Sequence, residues 1–121
     1  MPEKYPEGRY LPFTAGADIQ AGQVVELNGE GVVVPAGDGS TKVIGVALIN
    51  AKAGEKVTVV TEGVVEVVAA GAISAGDKVQ SAAGGKVATW SASAAGDSAK
   101  IIGIALTSAS ADGDKVIVLM K

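Results

Sequence analysis

The chain has no cysteine and no histidine. The first absence removes disulfides and thiol chemistry. The second removes the usual zinc ligands and every catalytic triad built on an imidazole. A chain without cysteine folds in any redox setting, so composition does not fix a compartment. Arginine occurs once, as Arg9, and the net charge is −3. Nucleic-acid binding needs a basic footprint, and the sequence offers none. No apolar run reaches the length of a membrane span. Met1 to Pro6 lacks the apolar stretch of a secretory signal, so the protein is expected in the cytoplasm of the cell that makes it. Aromatic residues are 3% of a chain that is 48% hydrophobic. Valine, isoleucine and alanine must therefore fill the core of this 121-residue domain. β-Branched residues favour strands, and seventeen glycines supply turns.

What is present is said nearly twice. Ile19-Gln20-Ala21-Gly22-Gln23-Val24-Val25 returns as Ile73-Ser74-Ala75-Gly76-Asp77-Lys78-Val79. Lys42-Val43-Ile44-Gly45-Val46-Ala47-Leu48 returns as Lys100-Ile101-Ile102-Gly103-Ile104-Ala105-Leu106. Gly54-Glu55-Lys56-Val57 returns as Gly113-Asp114-Lys115-Val116. The order is kept, and two copies are too few for a solenoid. The reading is one all-β domain over 17–121, a small internally duplicated β-barrel or β-clip-like body. Its repeats run from about 17 to 63 and from about 71 to 121.

Along the body, strands are expected at Gln23–Leu27, Gly31–Val34, Val43–Ile49, Lys56–Thr61 and Glu62–Val68. In the second half they are expected at Lys78–Gln80, Lys86–Trp90, Ile101–Leu106 and Lys115–Met120. Asn28-Gly29 reads as a hairpin turn. Residues 1–16 read as an extended N-terminal arm. Pro2, Pro6 and Pro12 keep it out of a helix, and it holds three of the four aromatics, Tyr5, Tyr10 and Phe13. Burying those rings and ordering the arm's backbone have opposing free energies of similar size. The arm is therefore expected to be loose alone and to order on a partner by sharing a strand edge. The alternative is that the aromatics cap the open end of the barrel's own core.

Catalytic signatures are missing. No phosphate-loop, dinucleotide or nucleophile-elbow motif occurs. Glu62 and Glu66 are paired carboxylates that no motif places in a pocket. Asp112-Gly113-Asp114 lacks the further oxygens and closing glutamate of a calcium loop. The Ala-Gly pairs read as turns with glycine at positive φ. Gly54-Glu55-Lys56 and Gly113-Asp114-Lys115 read as turns with a solvated ion pair. Asp38 and Asp97 read as Asx-turn acceptors. Gly45 and Gly103, in mid-strand, read as barrel corners. No enzyme, cofactor or metal is expected.

These phrases, with the linking Thr61-Glu62-Gly63-Val64-Val65-Glu66-Val67, resemble the capsid decoration (cement) proteins of tailed bacteriophages, of the lambda-type head decoration kind. The resemblance runs from about Thr14 to Lys121. It implies a structural protein on the outside of the virion capsid, bound to the major capsid protein, often as a homotrimer. Such proteins brace the expanded head against internal DNA pressure, and many reach neighbours through a terminal arm. On that basis Tyr5, Arg9, Tyr10 and Phe13 are the expected capsid contacts, and Trp90 the expected protomer interface. Two other readings remain. One is a small β-clip-type ligand-binding module, which needs a polar pocket. The other is a self-assembling tail or fibre subunit, which polymerises without a capsid.

Overall fold

The computed structural model describes residues 8–91 and 97–120. Among them there is no α-helix; nine strands form one continuous sheet. The first five are β1 (Gly8–Ala15), β2 (Val24–Leu27), β3 (Val32–Pro35), β4 (Val43–Ala47) and β5 (Lys56–Val68). They are hydrogen-bonded in the order β1-β3-β2-β4-β5, and β1 also pairs with β5, so this set closes into a barrel. The remaining strands are β6 (Lys78–Ala82), β7 (Lys86–Thr89), β8 (Gly103–Ala105) and β9 (Lys115–Met120). They continue from β5 in the order β9-β8-β6-β7 and return to its end through a parallel bridge between Ala69 and Val87.

The sequence explains the element type. β5 reads Lys-Val-Thr-Val-Val-Thr-Glu-Gly-Val-Val-Glu-Val-Val, a run whose branched side chains pack well on a pleated surface. It is one strand of thirteen residues, not the two separate strands expected from the sequence. Its inward face changes along its length: Val57 and Val59 are buried in one cluster, Val60, Val65 and Val67 in another. A register shift between Arg9 and Tyr10 of the paired strand absorbs that change. An extra residue in a ladder bends a strand without ending it.

The expected loose arm is not what residues 8–15 form. β1 runs antiparallel to β5 from Gly8 opposite Gly63 to Thr14 opposite Lys56, and parallel to β3 at Thr14 and Ala15. It is a stave of the barrel.

Two apolar clusters hold the body together. One fills the first barrel with Ile19, Val25, Val33, Val57 and Val59. The other joins Val24, Val46 and Val60 to Val65, Val79, Val87, Val116 and Val118. Adjacent residues on a strand point to opposite faces. Val24 and Val25 therefore serve different clusters, and β2 is covered on both sides. This is how a chain with four aromatics builds a core.

Hydrogen bonds recur between the halves. Ile19 and Ala51 exchange bonds of 2.8 and 2.9 Å, as Ile73 and Ala109 do at 2.9 Å each. Gly22 N–H donates to Ala47 O as Gly76 N–H does to Ala105 O, both at 2.8 Å. Ala15 N–H donates to Glu55 O as Ala69 N–H does to Asp114 O. On that pattern the last turn of β5 stands to the second set as β1 stands to the first. These bonds recur at matching places, and β5 pairs with both sets of strands.

The turns follow one rule. Gly22, Gly76, Gly54 and Gly113 sit at φ of 91°, 96°, 91° and 96°, a region open mainly to glycine. The residue after each accepts a backbone N–H from three positions earlier. Gln23 takes Gln20, Asp77 takes Ser74, Glu55 takes Lys52 and Asp114 takes Ala111. Glu55 and Asp114 thus fasten their own turns, where a solvated ion pair with the next lysine was expected.

Candidate functional site

The aromatic contacts expected from the sequence do not share one surface. Tyr5 lies outside the described residues. Arg9 is described through its backbone, which pairs with Glu62. Tyr10 is exposed on β1. Phe13 is half-buried and packs against the first core cluster, so its ring faces the barrel interior. Trp90 follows β7 and is half-buried; its backbone N–H donates to Lys78 O at 2.8 Å.

Around Tyr10 the structure assembles residues from four other parts of the chain. Leu48 at the end of β4, Val64 on β5, Glu66 beside Lys115, and the turn Ala21–Gly22 line an open groove of about 390 Å³. Tyr10, Leu48 and Val64 are 45%, 49% and 52% exposed, which is unusual for apolar side chains clustered in one place. Leu48 and Ile49 were expected inside a buried strand. β4 ends at Ala47, and the backbone then turns out, with Leu48 N–H donating to Thr58 O at 2.9 Å. Leu106 takes the same place in the second half, bonded to Ile117 O at 2.7 Å, and is 46% exposed.

Charge on this surface is sparse. Glu66 and Lys115 approach to 4.0 Å, both well exposed, and such a pair contributes little to stability. Glu62 and Glu66 are both exposed, and Glu66 lines the open groove. Asp114 is an acid held away from its ordinary value. Its carboxylate accepts the Ser110 hydroxyl and the Ser110 and Ala111 N–H groups, which hold it below its ordinary value. It fastens a turn and faces no cavity.

The Asx turn expected at Asp38 is replaced. Among the described residues, the Asp38 side chain makes no hydrogen bond. Ser81, fully buried, holds that loop: its hydroxyl donates to Gly37 O at 2.7 Å and accepts Ser40 N–H at 3.0 Å. Glu26 accepts Gly37 N–H at 3.1 Å. The Asp97 side chain lies outside the description. Sequence reasoning missed Ser81, because a serine in a strand carries no signal of burial.

Mid-strand Gly45 and Gly103 mark close approach. A Cβ at Gly45 would collide with Val60 O, and one at Gly103 with Leu119 O. The ladder between β2 and β4 also slips beside Gly45, so the corner and the close approach coincide.

The body is a valine-cored β structure with an apolar groove on its outside, and no group of metal ligands occurs among the described residues. The chain belongs to a family described as phage cement protein, whose model matches residues 5–120. It is a capsid-associated structural protein of the virion. Among solved structures it is similar to the N base of the head fibre gp8.5 of bacteriophage phi29. The TM-score is 0.72 at 16% identity, covering 93% of each chain. At that identity the likeness speaks for the fold alone. Among curated proteins nothing matches.

Proposed function

We propose that this protein binds the outer surface of the expanded head as a homotrimer on the major capsid protein, and braces the shell against DNA pressure. The family match over nearly the whole chain carries this reading. Many copies on a lattice add weak contacts by avidity, so one subunit need not bind tightly. A closed trimer is cyclic, with the same patch used three times. Preference for the expanded lattice stabilises that state by the difference in affinity between the two.

Tyr10 with Leu48 and Val64 is the apolar patch proposed to meet the shell, and Tyr5 and Arg9, expected contacts from the sequence, are proposed to join it. Phe13 contributes by seating β1. Trp90 is the proposed protomer contact. Synthesis in the host cytoplasm precedes assembly. The reaction class is none: the work is mechanical.

The test is heat-driven DNA release from filled heads lacking this protein, with and without added subunit. The reading expects release to move to higher temperature and to saturate at a fixed number of copies per head. Unchanged release temperature at saturating subunit refutes bracing.

A further inference from the structure

A side-chain amide or acid that precedes glycine can react with its own backbone, because no side chain shields the glycine nitrogen. The chain has three such pairs: Asn28-Gly29, Asp38-Gly39 and Asp112-Gly113. The fold treats them differently. Gly39 N–H donates to Ser81 O at 2.9 Å, and Gly113 N–H donates to Ala69 O at 2.8 Å. The Asp112 carboxylate is held as well, by Lys86 Nζ at 2.8 Å. At Gly29 the nitrogen is not held. Among the described residues its N–H meets no acceptor, and neither the Asn28 carbonyl nor the Asn28 side chain makes a hydrogen bond. The peptide joining these two residues is therefore unfastened. Both residues are exposed, and Gly29, at φ 106°, has open space where a side chain would stand.

The other asparagine is the opposite case. Asn50 Oδ1 accepts Ala21 N–H at 2.8 Å. The nitrogen that would attack it belongs to buried Ala51, whose N–H donates to Ile19 O at 2.9 Å.

We propose that Asn28 is a site of spontaneous modification in the folded subunit, where the amide is lost to give aspartate and isoaspartate. The Gly29 nitrogen gives its proton to solvent and attacks Cγ of Asn28. The new N–Cγ bond closes a cyclic imide. The Cγ–Nδ2 bond breaks, and the amide nitrogen leaves as ammonia with a proton returned by solvent. Water then opens the imide at either carbonyl carbon. One opening restores the main chain and leaves a side-chain carboxylate. The other carries the main chain through the former side chain and adds a methylene to the backbone. Water is the only co-reactant, and nothing is oxidised or reduced. At Asp38 and Asp112 the carboxylate must first be protonated to leave as water, so chemistry and fold both restrain those pairs.

Each event moves the net charge from −3 to −4. The new carboxylate arises on the turn between β2 and β3, next to Glu30 and an open groove lined by Leu27, Gly29, Glu30 and Lys42. Isoaspartate also lengthens the turn that Asn28 N–H closes onto Val32 O at 2.7 Å. This surface changes with the age of the subunit.

The proposal concerns the free subunit and does not depend on capsid binding. The full chain is aged in warm, mildly alkaline buffer, and a second sample is aged in guanidinium as the unrestrained reference. Tryptic mapping then reads each site by mass and by isoaspartate content. Asn28 falls in peptide 10–42, Asn50 in 43–52 and Asp112 in 101–115. Loss of the Asn28 amide should be less than about tenfold slower in the folded chain than in guanidinium, while Asn50 and Asp112 are protected by about tenfold or more. Protection of Asn28 by about tenfold or more would overturn the proposal, as would Asn50 or Asp112 keeping pace with its own reference. Asn28→Gln lengthens the side chain beyond easy ring closure, and its folded chain should keep its mass. An undiminished mass gain in that variant would put the reaction elsewhere and also overturn the assignment.

Discussion

Gly45 lies so tightly against the carbonyl oxygen of Val60 that no side chain fits between them. Gly103 stands in the same relation to Leu119. Gly45→Ala and Gly103→Ala must therefore push two paired strands apart. Overpacking of this kind costs roughly 1–3 kcal/mol, sometimes more. Gly37, with open space around it, is the control. Thermal unfolding should show a clear loss for the first two variants and little change for Gly37→Ala. A neutral Gly45→Ala would show that the strands are not so closely packed.

Ser81 ties two parts of the molecule together. Ser81→Ala leaves Gly37 O and Ser40 N–H without their partner. Gly37 is exposed and Ser40 half-buried, so water replaces part of what is lost and the cost should be near that of one net hydrogen bond, about 1 kcal/mol. The expected result is a loss of that size in denaturant unfolding, with faster exchange at the Ser40 amide. Unchanged exchange at Ser40 would argue against the bond.

Tyr10 and Phe13 should separate contact from stability. Phe13 packs on the core, and a fully buried phenylalanine is worth about 3–5 kcal/mol on truncation. Half-buried Phe13→Ala should cost about 2 kcal/mol. Tyr10→Ser should leave stability near wild type and weaken head binding. Equal stability losses in both variants would contradict the assigned faces.

Asp114 gives stability a defined pH dependence. Hydrogen bonds from Ser110 and Ala111 lower its pKa in the fold below the ordinary 3.8. A group whose folded pKa is depressed contributes fully above the unfolded value, and that contribution disappears as pH falls through the folded one. Wild type should therefore exceed Asp114→Ala in stability at neutral pH, and the gap should narrow below pH 3.8. A gap that stays constant on acidification would rule out the carboxylate as its source.

The sequence was most readable where one residue type answers one backbone demand. The Ala-Gly turns and the strands that follow them are of this kind, because positive φ leaves glycine little competition. It was least readable where the outcome depended on distant partners. Nothing local in Gly8 to Ala15 says that β5 will be beside it, so a barrel stave looked like a free arm. Thr61, Glu62 and Gly63 look like a break, yet β5 takes up one extra residue between the partners of Tyr10 and Arg9 and continues. Leu48 continues an apolar run, and only the end of β4 at Ala47 turns it outward. The groove is a product of those long-range facts, and its lining is scattered from Tyr10 to Lys115.

The placement of β1 also decides how the capsid reading must be tested. Removing residues 1–13 would take out most of a stave and confuse unfolding with lost contact. The most direct measurement is co-sedimentation of the intact subunit with heads of its phage before and after expansion. Tyr10→Ser is the contact variant. Saturable binding to expanded heads, weaker for Tyr10→Ser and weak or absent on unexpanded heads, is the predicted result. No binding of the intact subunit to either form would contradict the account.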